Sequence, residues 1–125
     1  WGAGPHDGFE TLRDGFVHCT GLAGFYPGRI EIIDGDSKLV GQTWNRLVEI
    51  AYIDGDHSYE SARSDLRSFA PWVVPGGYLL VDDYDMEGVR KALDEFMPEQ
   101  PADRWLVVRT PDCNPAKLYV ARRLG

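Results

Sequence analysis

Apolar residues recur along the chain with two spacings, and the alternation between them predicts an α/β fold. Short apolar runs at 29–34, 47–54, 77–82, 105–109 and 117–121 read as strands. The first is a β-branched run that follows the turn pair Pro27-Gly28. The second is longer and nearly continuous, the pattern of a strand buried on both faces. The third repeats its grammar: a glycine-marked turn, an apolar run, then Asp82. The last two flank a Pro- and Asn-rich loop at 110–116 and read as an antiparallel hairpin.

Helical spacing fills the gaps. Tyr59, Ala62, Leu66, Phe69, Ala70 and Val73 share one helical face, with Ser58 placed to cap it and Pro75-Gly76-Gly77 to stop it. Val89, Ala92, Leu93, Phe96 and Met97 repeat the spacing, and Pro98 is expected to end that helix. Segments 9–26 and 37–46 carry weaker helical patterns, diluted by Gly15, Gly21, Gly24 and Gly41. The order of elements is that of a mostly parallel sheet closed by a C-terminal antiparallel hairpin.

Composition then narrows the partners. The 125 residues suit one domain, and 43% hydrophobic with 26% charged residues excludes a disordered chain. The longest uncharged stretch, 68–81, is too short to span a bilayer and is broken by Pro71, Pro75, Gly76 and Gly77. A net charge of −7 with no basic cluster argues against nucleic acid and against an anionic membrane surface. Cys19 and Cys113 form no metal or redox motif, which favours a reduced, cytoplasmic chain. The N-terminus has neither signal-peptide features nor an initiator Met, and it reads as a cut in a loop.

The candidate chemistry is acidic. Three predicted strands run into Asp34-Gly-Asp36-Ser37, Asp54-Gly-Asp56-His57 and Asp82-Asp83-Tyr84-Asp85. Parallel sheets bind ligands beyond the carboxyl ends of their strands, so the three clusters share one edge. Carboxylates converging there repel one another unless a cation relieves them, and hard oxygen ligands suit Mg²⁺. Asp34 or Asp85 alone reads as a turn or capping residue; Asp54 with Asp82 and Asp83, on successive strands, reads as a metal site. The Asp-Gly-Asp segments lack the Gly and Glu that a calcium loop needs at its sixth and twelfth positions. His6, His18 and His57 share no zinc spacing.

Ile53-Asp-Gly-Asp-His-Ser-Tyr-Glu60, followed by Val74-Pro-Gly-Gly-Tyr-Leu-Leu-Val-Asp-Asp-Tyr-Asp85, resembles the class I S-adenosylmethionine-dependent methyltransferases. Within them the chain is similar to the small bacterial O-methyltransferases and the Mg²⁺-dependent sugar O-methyltransferases, and more distantly to catechol O-methyltransferase. The resemblance covers about residues 29–123 and implies a Rossmann-like sheet of order 3-2-1-4-5-7-6. The five predicted strands then correspond to strands three to seven. The first two strands, with their glycine-rich cofactor loop and ribose-binding acid, are lacking, so residues 1–125 read as a single incomplete domain.

The same resemblance implies site roles. Asp36 and Ser37 would face the adenine of S-adenosyl-L-methionine, with Asp54 also on the cofactor side. Asp54, Asp82 and Asp83 would hold Mg²⁺, and the general base is Asp56 or His57. The implied partner is a small hydroxylated methyl acceptor, a sugar or a phenol. Without its first two strands the chain alone is expected not to methylate, and an unpaired strand edge invites association into a homo-oligomer. Two other readings compete: a metal-dependent nucleotide-sugar glycosyltransferase, since Asp-x-Asp after a strand can hold a metal against a diphosphate, and a non-catalytic fragment.

Overall fold

The structure, a computed structural model, describes residues 12–24, 28–108 and 117–125. Its contacts gather into two units, 1–34 and 35–125. In the first unit α1 spans Leu12–Leu22. Gly24, at φ 78°, follows it in the left-handed conformation that commonly terminates helices. The Arg13 Nε lies 2.7 Å from Asp34 Oδ2. The strand expected at 29–34 does not form: residues 30–34 are irregular and Ile33 is exposed. Its β-branched residues favour extension, but a strand persists only through a ladder, and among the described residues this segment has none.

The second unit carries the sheet. Its elements are α2 (Ser37–Thr43), β1 (Val48–Ile53), α3 (Tyr59–Phe69), a 3₁₀ turn (Ala70–Trp72), β2 (Val73–Val81), α4 (Glu87–Glu99), β3 (Trp105–Val108) and β4 (Tyr119–Arg123). The strand order is β1-β2-β4-β3. β1 and β2 are parallel, whereas β4 runs antiparallel to both β2 and β3. This is the 4-5-7-6 portion of the expected sheet, with the strand added last reversed.

Two boundaries differ from the sequence pattern. Val73 opens β2 instead of closing α3, because Pro71 turns the chain into the 3₁₀ segment first. The Pro75-Gly76-Gly77 stretch therefore lies inside β2, where the register steps from Val48↔Val73 to Ile50↔Tyr78. Pro75 offers no N–H, and Gly76 sits at φ 84°, so the strand bulges there. Pro98 lies inside the last turn of α4, and the helix ends one residue later.

α3 and α4 pack side by side over one face of the sheet. Ala62, Leu66, Val89, Leu93 and Phe96 meet Ala51, Ile53, Leu79, Val81, Trp105 and Ala121 in one buried cluster. Leu66 and Leu79 are fully buried, each contributing about 2 kcal/mol of burial. The opposite face is apolar and open: Ile50 is 61% exposed and Tyr52 53%, with Tyr78, Leu106 and Val108 beside them. The two-sided burial expected for 47–54 is thus only half realised. β1 is an edge strand, pairing with β2 alone among the described residues, and α3 covers just its inner face.

Gly77 marks a close approach of the two parallel strands. A Cβ there would collide with the Glu49 carbonyl oxygen and come within 2.8 Å of Val73 Cγ1. Gly77→Ala should therefore cost about 1–3 kcal/mol in urea unfolding through overpacking. Gly28→Ala, where an added Cβ meets nothing within 4 Å, should change stability by less than about 0.5 kcal/mol. Equal effects would show that β1 and β2 are not so closely apposed.

Candidate active site

The parallel ladder decides what meets at the sheet edge. Ile53 pairs with Val81, and one step further the Asp82 N–H donates to the Ile53 carbonyl at 2.9 Å. Asp54 and Asp82 thereby leave the sheet side by side. Asp83 then takes φ 60°, a left-handed conformation uncommon for a non-glycine residue and costly enough to need support. The Met86 N–H donates to the Asp83 carbonyl at 2.9 Å, and the Tyr84 N–H donates to the Lys117 carbonyl at 2.8 Å. The turn is pinned to the chain entering β4. As a result Asp54, Asp82 and Asp83 each bring an oxygen within 4.8 Å of the others.

Two cationic or proton-bearing groups face this cluster. His57 Nε2 lies 2.6 Å from Asp83 Oδ2, and Lys117 Nζ lies 3.6 Å from Asp83 Oδ1. Burial, foremost, raises the Asp54 carboxyl above the ordinary aspartate range; its hydrogen bond with Asp82 and repulsion by Asp82 and Asp83 add to this. The same Asp82 and Asp83 charges raise the Lys117 ammonium, keeping it protonated. His57 is set by its backbone as well. α4 begins so close to it that a Cβ on Gly88 would fall 2.5 Å from the His57 carbonyl oxygen.

The other sequence candidates lie apart from the carboxylate cluster. Asp56 accepts from the Ser58 N–H, the Ser58 hydroxyl and the Ser61 hydroxyl, each at 3.2 Å, while Ser58 caps α3 through the Ser61 N–H. Those bonds, the backbone one first, hold Asp56 below the ordinary range. Asp36 caps α2 by accepting from the Lys38 N–H at 2.9 Å. Ser37 lines a cleft of about 490 Å³ that runs along β1, together with Trp44, Ile53, Asp54, Asp65 and Phe69. Trp44 and Phe69 meet edge to face in its wall, with ring centroids 5.6 Å apart.

Three residues at the site were not singled out from sequence. Gly88 and Lys117 carry no local motif; Lys117 is merely the lone basic residue in 110–121. Asp65 left a legible signal, because it falls on the otherwise apolar stripe of α3. It is only 6% exposed, and its Oδ1 has no hydrogen-bond partner among the described residues.

A methyltransferase-domain family model matches residues 5–84. The fold is similar to the O-methyltransferase NovP, with a TM-score of 0.76 and 20% identity over 94% of this chain and 47% of that one. CalS11, a TDP-rhamnose 3'-O-methyltransferase of calicheamicin biosynthesis, gives a TM-score of 0.61 and 17% identity over 89% of this chain and 50% of its own. A Streptococcus mutans protein solved in complex with SAH gives 0.62 and 14% identity over 91% of this chain and 72% of that one. At such identities the likeness is one of fold. The chain spans about half the length of the two O-methyltransferases.

The buried Asp65 makes stability depend on pH. Burial, foremost, raises its carboxyl above the ordinary value of 3.8, against the pull of the Ser37 hydroxyl and Lys38. The folded chain holds this proton more tightly than the unfolded chain, so its stability falls as pH rises through the window above 3.8. Asp65→Asn removes the buried charge. Urea melts should show the variant gaining on wild type as pH is raised from about 4 to about 8. A gap that stays constant or widens in the other sense would contradict the burial of an ionising carboxyl here.

Proposed function

The chain belongs to the methyltransferase-domain family, and from that premise we propose that it carries the metal- and acceptor-binding part of an S-adenosyl-L-methionine-dependent O-methyltransferase. Mg²⁺ is the proposed metal, and a small hydroxylated molecule, a sugar or a phenol, the proposed acceptor. One observation carries this reading: Asp54, Asp82 and Asp83 converge at adjacent strand ends with His57 held on Asp83. Membership of this family sets aside the glycosyltransferase alternative.

The donor set suits a hard divalent cation: three carboxylate oxygens, no sulfur, partial burial, and like charges that repel without a counter-ion. Such an ion, when bound, lowers the pKa of an acceptor hydroxyl and fixes its oxygen. S-adenosyl-L-methionine, when bound, supplies an electrophilic methyl group. The cleft beside β1 has the size and the apolar, aromatic walls that a planar base requires, with Ser37, Asp54 and Asp65 as its polar side chains. Asp36 serves that cleft by fixing the start of α2 and hence Ser37.

For proton removal His57 is the better-placed group. Asp83 engages its Nε2, which orients the ring and leaves Nδ1 as the atom to accept the acceptor's proton. Asp56 has spent its oxygens on Ser58 and Ser61 and works as the brace that holds the loop of His57 against α3. Among the described residues no helix is long and apolar enough to cross a membrane. The proposed setting is the reduced cytoplasm; Cys19 is exposed, and Cys113 lies outside the described residues.

Calorimetry with Mg²⁺ and Mn²⁺ tests the site directly. Asp82→Asn should weaken binding by about tenfold or more, roughly 1.4 kcal/mol. Equal affinities would sink the shared carboxylate site. A parallel titration with labelled S-adenosylhomocysteine and with a nucleoside diphosphate checks the cofactor class; preference for the diphosphate would overturn the S-adenosyl-L-methionine assignment.

A further inference from the structure

We infer that Lys117 is the built-in counter-ion of the Asp54, Asp82 and Asp83 cluster, and that its ammonium group gives way when a divalent cation enters. This rests on the metal reading of the same site. Both oxygens of Asp83 are engaged in the structure: Oδ2 by His57 at 2.6 Å and Oδ1 by Lys117 at 3.6 Å. A metal ion that takes Asp83 as a ligand therefore enters beside both partners, and the cationic ammonium is the one that repels it.

The geometry singles out Lys117 as the group that yields. At 3.6 Å its ammonium is held loosely and mainly by charge, whereas His57 is in close contact at 2.6 Å. The Lys117 side chain is 59% exposed and sits on a flexible four-carbon stem, so its head can move into water at little cost. Its backbone does not need to follow, because the Tyr84 N–H holds the Lys117 carbonyl at 2.8 Å. The residue is thus anchored beside Asp83 with its charge free to swing. With the ammonium in place, the three carboxylates have a monovalent partner that limits their repulsion; with a divalent ion in place, the two cations repel and the lysine turns outward.

The exchange predicts opposite signs for two measurements on one variant of the full chain. Lys117→Met should bind Mn²⁺ about three- to tenfold more tightly than wild type at low ionic strength, since no ammonium has to be displaced. The same variant should melt at a lower temperature without metal, and the deficit should vanish at saturating Mn²⁺. Lys117→Arg keeps the charge and should follow wild type in both. Tighter binding together with the metal-reversible loss of stability supports the exchange. Unchanged or weaker Mn²⁺ binding by Lys117→Met, with wild type still binding and Asp82→Asn not, overturns the exchange and leaves the metal reading standing. No Mn²⁺ binding by wild type overturns both.

Discussion

One backbone hydrogen bond, from the Asp82 N–H to the Ile53 carbonyl, ties the fold to its chemistry. It is the last rung of the β1–β2 ladder, and it requires the strands to be parallel and in one register. Slipping that register by one residue would send Asp82 to the other face of the sheet and part it from Asp54. The register is held by burial on the inner face, where Ala51 pairs with Leu79 and Ile53 with Val81 under Leu66 and Leu93. Gly77 admits the close approach of β2 to Glu49 at the far end. The core therefore positions the carboxylates from a distance, and a cavity under Leu79 would be felt at Asp82.

Electrostatics at the strand ends divides the acids into two kinds. Asp36 and Asp56 accept from backbone and hydroxyl donors at helix starts, which fixes the loops they sit in. Asp54, Asp82 and Asp83 instead face each other, with His57 and Lys117 as the partners of Asp83. The left-handed Asp83 belongs to this second group. Its conformation is maintained by Met86 and by the Lys117 carbonyl, so the residue that supplies the positive charge also supports the strained turn.

The contrast between the two kinds of acid explains what sequence could tell. Asp54, Asp82 and Asp83 were legible as a cluster because they follow two strands whose apolar runs are unmistakable, and parallel strands bring such ends together. The two main helices were legible for the same reason, through Ala62 and Leu66 and through Val89, Leu93 and Phe96. Asp56 and His57 could not be separated, because the hydrogen bonds from Ser58 and Ser61 are a local geometric outcome that type and spacing do not dictate. Lys117 lies 34 positions from Asp83 and reaches it only once β4 has reversed beside β2. The 29–34 segment misled because β propensity measures fitness for a sheet, and it says nothing of whether a neighbouring strand is there to pair.

The same reasoning gives β1 its double role. A parallel pair rich in Val, Ile and Tyr is ordinarily covered on both faces, yet within the sheet's own unit α3 packs on the inner face of β1 while Ile50 and Tyr52 on the other face are exposed. Its exposed Ile50 and Tyr52 share that face with Tyr78 and, beyond Arg122 of β4, with Leu106. β1 also contributes Val48, Ile50, Ala51, Tyr52 and Ile53 to the cleft, whose polar end is Ser37, Asp54 and Asp65. One strand thus supplies an apolar floor along its length and a charged residue at its carboxyl end. That arrangement suits a ligand with a planar apolar part and a reacting part, because the first can lie along β1 while the second reaches the carboxylates that the Ile53–Asp82 hydrogen bond has set side by side.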